Sequence, residues 1–375
     1  MRSHGDIHGV DPKEIPPHNI LCAGFPCQPF SKAGDQLGLK DELRGTLFGN
    51  IVKIVKEHKP EYLILENVGN FERHDKGHTW ATVRRRLERL GYDVRATEHK
   101  ATGGPGLLSP HHLGFPHHRE RFYIVASRNG LDSFSFPMGN GDCKTKMSDV
   151  VDDELSARDL KETEITDQQR RCIEHWNRLL MCLTEEKVPD LPSFPIWGDE
   201  LWADYPYEVT TPLKMSDQEF DTHLAKVNSG MTDYQSRQDY LDTLPAYATR
   251  SEVFPPWKIR FIDQNRAWFR RIKKFIPNGW EQELKEFPPS LRKLEWNCKG
   301  ETRDLWDHIL QFRSSGLRVK RYQNSPSLVA MTETQIPILG PKQRFISRGE
   351  GLRLQGFPPR LRNTKTARTH IPSFR

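Results

Sequence analysis

An α/β protein with a mostly parallel, Rossmann-like sheet and a second domain inserted into it is what this chain predicts, and three observations predict it. Residues 19–128 alternate short apolar runs with amphipathic stretches, the pattern of strands alternating with helices. Residues 129–320 lose that alternation, gain prolines and hold eight of the nine tryptophans, Trp80 being the exception. Residues 321–362 return to a patterned segment that reads as rejoining the first domain, and 363–375 read as a disordered tail.

The elements follow in order. Ile20-Leu21-Cys22-Ala23 reads as a buried strand of the parallel type. Cys22 is expected inside it, as a packing residue. Leu47, Phe48, Ile51, Val52, Ile54 and Val55 recur at helical spacing, and Lys59-Pro60 ends that helix. Tyr62-Leu63-Ile64-Leu65 reads as a second short buried strand, with Glu66-Asn67-Val68 at its end. Trp80, Val83, Leu87 and Leu90 line one side of the next helix, which Gly91 is placed to cap. Val94-Arg95-Ala96 and Phe122-Tyr123-Ile124-Val125-Ala126 read as two further strands.

Composition bounds the function. At 375 residues the chain can hold two domains and a sizeable core. Its formal net charge of +6 suits an anionic partner such as nucleic acid without demonstrating one. The six cysteines show neither a C-x-x-C pair nor a disulfide-like rhythm, which fits a reducing compartment. No apolar run reaches the ~20 residues of a membrane helix, and the start is not a signal peptide. A cytoplasmic location is therefore expected.

The most informative stretch is Gly24-Phe25-Pro26-Cys27-Gln28-Pro29-Phe30-Ser31. Two prolines stiffen a loop at the carboxyl end of the first strand, the edge where open α/β sheets bind ligands. A cysteine clamped there is a candidate nucleophile; a structural cysteine in a tight turn is the plainer alternative. Glu66 ends the neighbouring strand. Adjacent strands lie ~4.8 Å apart, so both tips can face one pocket. In Gly114-Phe115-Pro116-His117-His118-Arg119-Glu120-Arg121-Phe122, Arg119 and Arg121 are two apart and share a side of an extended segment. One can reach a ligand while the other braces the site; taken alone, they are equally two surface arginines. His111-His112 and His117-His118 suggest a metal, but no second cluster completes a shell, so none is expected.

Taken together these motifs resemble the DNA cytosine-5 methyltransferases of bacterial restriction–modification systems. The matching segments are Gly5-Asp6-Ile7, the Cys27 loop, Arg44-Gly45-Thr46-Leu47-Phe48, Glu66-Asn67-Val68, the Arg119/Arg121 block and Arg353-Leu354-Gln355-Gly356-Phe357-Pro358. The resemblance implies methyl transfer from S-adenosylmethionine to cytosine carbon 5 in a specific duplex site. The base is flipped out of the helix, because its carbon 6 is inaccessible while stacked. By this resemblance Cys27 is the nucleophile that adds to carbon 6, Glu66 contacts and protonates the ring, Arg121 holds the ring oxygen, and Arg119 supports the site. Asp6, Ile7, Pro26 and Leu47 match positions that touch the donor, and Arg353 to Pro358 would hold the inserted domain against the core. Residues 1–128 would then be a partial catalytic core and 129–320 the target-recognition domain.

Two departures matter. His117 stands where the family usually carries glutamine. The glycine-rich Asp-Leu-Phe strand and turn that cradles the donor and the closing Gly-Asn motif are both missing from this sequence. The expectation drawn from this is a truncated product or one half of a split enzyme, with a complementary methyltransferase subunit as partner. A cognate restriction endonuclease is expected only as a genomic neighbour.

In the inserted domain, Arg266, Arg270, Lys273 and Lys274 fall within reach of one another on a helix and are candidates for phosphate contacts, against a plainly solvated face. Arg313, Arg318, Lys320 and Arg321 form a second basic cluster. Two readings compete with the transferase acting on DNA: a non-catalytic DNA-binding remnant, and a cytosine-5 transferase acting on RNA. A cysteine hydrolase has no supporting motif.

Overall fold

The computed structural model describes residues 5–26, 47–139, 145–228, 236–328 and 335–357. They form two compact units that divide between Lys146 and Met147.

The first unit carries β1 (Ile20–Gly24), α1 (Leu47–His58), β2 (Tyr62–Val68), α2 (His78–Glu88), β3 (Asp93–Ala96) and β4 (Arg121–Ser127). These are the elements the apolar periodicity predicts. Lys59, at φ 47°, takes the left-handed turn out of α1 before Pro60, and Gly91, at φ 86°, does so after α2. The sheet order is β1-β2-β4-β3. β1 and β2 are parallel, whereas β4 is antiparallel to both β2 and β3. Three strands therefore share one direction and β4 alone is reversed.

Both helices lie on one face. The chain moves across the sheet the same way from β1 to β2 and from β2 to β3, and two right-handed crossovers in one direction put both helices on the same side. Their apolar residues, with Leu63, Leu65, Phe122, Ile124 and Ala126 from the strands, make a single core. Full burial of one such side chain is worth ~1.5–3 kcal/mol. Among the described residues the opposite face is open at β1 and β2: Ile20 is 54% exposed, Val68 46%, Ile64 41% and Tyr62 37%. Cys22 lies on this face and is exposed rather than packed, because among the described residues both helices of this unit cover the other face.

The first unit extends past residue 128 because the strand's continuation is tied down. Leu131 is buried and its N–H donates to Asp93 Oδ2 at 2.8 Å. Farther on, the Thr145 N–H donates to the Gly114 carbonyl at 3.2 Å.

The second unit contains, in chain order, α3 (Met147–Val150), α4 (Ala157–Glu162), α5 (Asp167–Cys182), β5 (Ile196–Trp197), α6 (Asp217–Asn228), α7 (Arg237–Thr243) and α8 (Pro256–Ile272). It continues with α9 (Trp280–Glu286), β6 (Lys293–Asn297), β7 (Ile309–Arg313), β8 (Gly316–Lys320), β9 (Ile338–Leu339), β10 (Arg344–Phe345) and α10 (Arg348–Leu354). Its prolines open helices as well as loops: Pro256 occupies the first position of α8, where no intrahelical N–H is needed. A six-stranded sheet runs β10-β9-β7-β8-β6-β5.

The segment 321–362 adds its described strands to this second sheet, β9 pairing with β7 and β10 with β9. α10 is anchored in the same unit. Arg344 pairs with the fully buried Glu350 through two bonds, of 2.7 and 2.9 Å. Arg353 donates twice to the Val150 carbonyl and pairs with Asp152 at 2.7 Å. Residues 363–375 lie outside the described set, and among the described residues no helix is long and apolar enough to cross a membrane.

Candidate active site

The register of the first sheet builds the site. Glu66 stands opposite Gly24 of β1 on one side and Tyr123 of β4 on the other, and Val68 stands opposite Arg121. Side chains alternate across a strand, so Gly24, Glu66, Arg121 and Tyr123 all belong to the face away from the helices. Glu66 and Arg121 are diagonal neighbours across the β2–β4 pair, a spacing that long side chains bridge. Arg121 Nε donates to Glu66 Oε1 at 2.6 Å, a short charge-assisted contact. Arg121 Nη1 donates to the Glu120 carbonyl at 2.8 Å, which orients the guanidinium further.

Glycine at position 24 matters to the carboxylate. A Cβ there would lie 3.1 Å from Glu66 Oε2, so the missing side chain leaves space beside that oxygen. Asn67 points the other way and is buried. Its Nδ2 donates to the Phe25 carbonyl at 2.8 Å, and its Oδ1 accepts from the Val68 N–H at 2.9 Å. The Phe25 ring is wedged against Phe48 and Phe71. The segment that leaves β1 toward Cys27 is thus held at its root.

Arg119 is half-buried, and its N–H donates to Ser109 Oγ at 2.9 Å. Burial, and after it the charge of Arg121, lowers the Arg119 guanidinium from its ordinary value, while Glu66 counteracts. His117 is buried, and burial together with Arg119, His118 and Arg121 pushes its imidazole down to about 4. It is therefore neutral at pH 7. Tyr123 is pushed up, first by burial and then by Glu66.

Of the residues singled out from the sequence, the structure brings Glu66, Arg119 and Arg121 into one electrostatic cluster. Cys27 lies outside the described residues. Asp6 caps a short 3-10 turn, Ile7–Gly9, where its exposed carboxylate accepts from the His8 N–H at 3.0 Å and meets His8 Nδ1 at 2.8 Å. That turn packs against α1. Ile7 and Leu47 are half-exposed, and Pro26 is exposed just beyond β1.

Sequence reasoning gave no role to Gly24, Asn67, Ser109 or Tyr123. Alternation along β4 could have found Tyr123, two residues beyond Arg121 on the same side. His111 stacks on His118 with centroids 4.6 Å apart. Among the described residues no three His, Cys, Asp or Glu side chains converge into a metal-holding group.

Part of the second unit's basic clusters is spent internally. Arg266 pairs with the fully buried Glu200 at 2.8 Å, and its guanidinium lies over Tyr205 and Tyr207. It is a core ion pair rather than a phosphate contact. Arg313 and Arg318 share Glu295, and Arg321 pairs with Glu301.

An acid and a guanidinium meeting on one face of an α/β sheet, next to the carboxyl end of β1, suit chemistry on a polar ring. The class follows from comparison with known families. The model of the C-5 cytosine-specific DNA methylases matches residues 2–362, and the chain belongs to that family. It aligns with the Type II methyltransferase M.AluI of Cellulosimicrobium cellulans at 33% identity over 398 residues, covering 91% of this chain and 73% of that protein. The Type II methyltransferase M1.ScrFI of Lactococcus lactis subsp. cremoris is 46% identical over 133 residues, 35% of this chain and 32% of its own. M.HhaI of Haemophilus parahaemolyticus is 44% identical over 138 residues, 36% and 39% respectively. The chain thus matches only about a third of the length of these last two relatives. Among solved structures, S. pombe Dnmt2 methyltransferase covers 80% of this chain and 76% of its own at 17% identity, with a TM-score of 0.31, too loose a likeness to carry an argument.

Proposed function

We propose that this chain methylates carbon 5 of cytosine in a specific duplex DNA site, through a covalent adduct on Cys27. Carbon 5 of the aromatic ring is a poor nucleophile. Addition of the Cys27 thiolate to carbon 6 turns carbon 5 into an enamine carbon able to attack a methyl group. Glu66 shares a proton with ring nitrogen 3 as the adduct forms, and Arg121 stabilises the charge that builds on oxygen 2. Arg119 braces that pair. After transfer, the proton on carbon 5 leaves, carbon 6 releases the sulfur, and the thiolate is regenerated.

S-adenosylmethionine, when bound, supplies the methyl group. Asp6, Ile7, Pro26 and Leu47 would hold it: an exposed carboxylate acceptor flanked by partly exposed apolar side chains fits a donor with an adenine ring. A complementing segment or subunit belongs to the same proposal, supported by the apolar sheet face of Ile20, Tyr62, Ile64 and Val68. The setting is cytoplasmic.

The observation that carries this reading is the 2.6 Å Glu66–Arg121 contact at the strand end that adjoins Gly24. The test is covalent trapping. The chain is mixed with S-adenosylmethionine and a duplex in which every cytosine carries fluorine at carbon 5, which blocks the final proton loss. A denaturation-stable adduct is expected with the natural chain and none with Cys27→Ser. Absence of an adduct, even with a complementing subunit added, overturns the proposal. An adduct on tRNA and none on the duplex would make RNA the substrate.

A further inference from the structure

We propose that the solvent-facing side of α8 is a dedicated phosphate-binding rail for duplex DNA, an inference that rests on the proposed duplex substrate. Between Pro256 and Phe275 the chain holds seven basic residues and one acid, Asp263, although the whole chain has 50 acids to 56 bases. The helix sorts these cations by face. Lys258, Asn265, Trp268, Phe269 and Ile272 are buried, and Arg266 is consumed by Glu200.

The other side presents Arg260, Ala267 and Arg271, and Lys274 continues the row from the 3-10 turn Lys273–Phe275 that follows the helix, at spacings of seven, four and three, with Asp263 and Arg270 beside them, all exposed. Asp263, the acid of this face, already accepts from the Tyr207 hydroxyl at 2.7 Å. Among the described residues, Arg260, Arg270 and Arg271 have no ion-pair partner, and Lys274 meets only the ring of Phe275, at 4.9 Å. Elsewhere in this unit exposed cations are commonly matched, as Arg158 is by Glu162 and Lys285 by Glu281. An unmatched row on one helix face is the exception.

Its dimensions fit a polyanionic rod. From Arg260 to Lys274 the helix rises ~21 Å at 1.5 Å per residue. Over that length a duplex carries about 12 phosphates. Four cations therefore find partners in several registers, which anchors the duplex without reading its sequence. A lipid surface fits less well. An interfacial helix inserts a broad apolar face, whereas here Trp257 is the one large apolar side chain exposed on α8. This also changes the choice of phosphate contacts: Arg260 and Arg271 join Arg270 and Lys274, Arg266 leaves, and Lys273, exposed just beyond the end of α8, stands off this row.

The test is duplex binding by fluorescence anisotropy from 50 to 300 mM salt. It compares the natural chain with R260Q/R270Q/R271Q/K274Q and with a control, R158Q/K161Q/K285Q/K299Q, that removes the same charge from other exposed sites of the unit. Glutamine is a good helix former, and circular dichroism checks that each variant folds. Each released counterion contributes ~0.9 to the slope of log K against log salt. The α8 variant should lose about 3 to 4 from that slope and the control less than about 1. An unchanged slope in the α8 variant, an equal loss in the control, or no salt-dependent duplex binding by the natural chain overturns the inference. Adduct formation at 50 mM salt is scored in parallel. Its loss from the natural chain counts against the catalytic reading, while its retention by the α8 variant separates anchoring from chemistry.

Discussion

Acid should destabilise the first unit through His117, and replacing it with glutamine should remove most of that effect. The imidazole is 2% exposed and pushed down to about 4, first by burial and then by Arg119, His118 and Arg121. An unfolded histidine titrates near 6.5. Above pH 6.5 both states hold the ring neutral and nothing is lost. Between 6.5 and 4 the unfolded chain takes up a proton that the folded one refuses, so stability falls as pH falls and levels off below 4. From pH 7.5 to 5 this amounts to about 2 kcal/mol. The assay is amide hydrogen exchange on peptides from β2 and β4, in natural chain and His117→Gln, at both pH values. Glutamine cannot titrate, so the variant's protection should drop by about 2 kcal/mol less. An equal drop in both proteins would refute the argument and assign the acid sensitivity of this unit to another group.

Three further outcomes are expected. Gly24→Ala puts a methyl 3.1 Å from Glu66 Oε2 and should cut trapping by ~10-fold, one 1.4 kcal/mol step, with little change in melting temperature; unaltered trapping would mean the space beside the carboxylate is not used. Asn67→Ala strands the buried Phe25 carbonyl and should cost about 1–3 kcal/mol in urea titration, more than an exposed Asn129→Ala control. Glu350→Gln leaves the Arg344 charge without its buried partner and should cost about 3–5 kcal/mol, read as melting of β9, β10 and α10 by hydrogen exchange; a loss below 1 kcal/mol would contradict the pairing.

How far the sequence discloses this architecture depends on the range of the interaction. α1 and β2 are written in local periodicity: Phe48, Ile51, Val52, Ile54, Val55, Leu63 and Leu65 are buried, while Tyr62 and Ile64 of the same apolar run stand exposed on the other face of the sheet. The reversal of β4 is not local. An apolar run such as Phe122–Ala126 specifies a strand but not its direction, which here follows from the connection through residues 97–120. The face on which Cys22 lies is likewise decided by helix placement, two crossovers away. Glu66 and Arg121 were legible because motif and strand alternation agree. The fate of Arg266 was not, since the acid that neutralises it lies 66 residues away and only folding brings them together. His117 shows a third case: its departure from glutamine is visible, but its shifted titration needs the burial that the fold supplies.

Among the described residues the first sheet leaves Ile20, Tyr62, Ile64 and Val68 open on one side, and self-association in solution is expected to follow from that. β1 is the outermost strand in the described order, and it borders hydrocarbon from Ile20 and Ile64. Such an edge recruits whatever strand arrives first. A complementing subunit and a second copy of the chain would then compete for one strip of backbone, and dilution should favour the subunit over the aggregate.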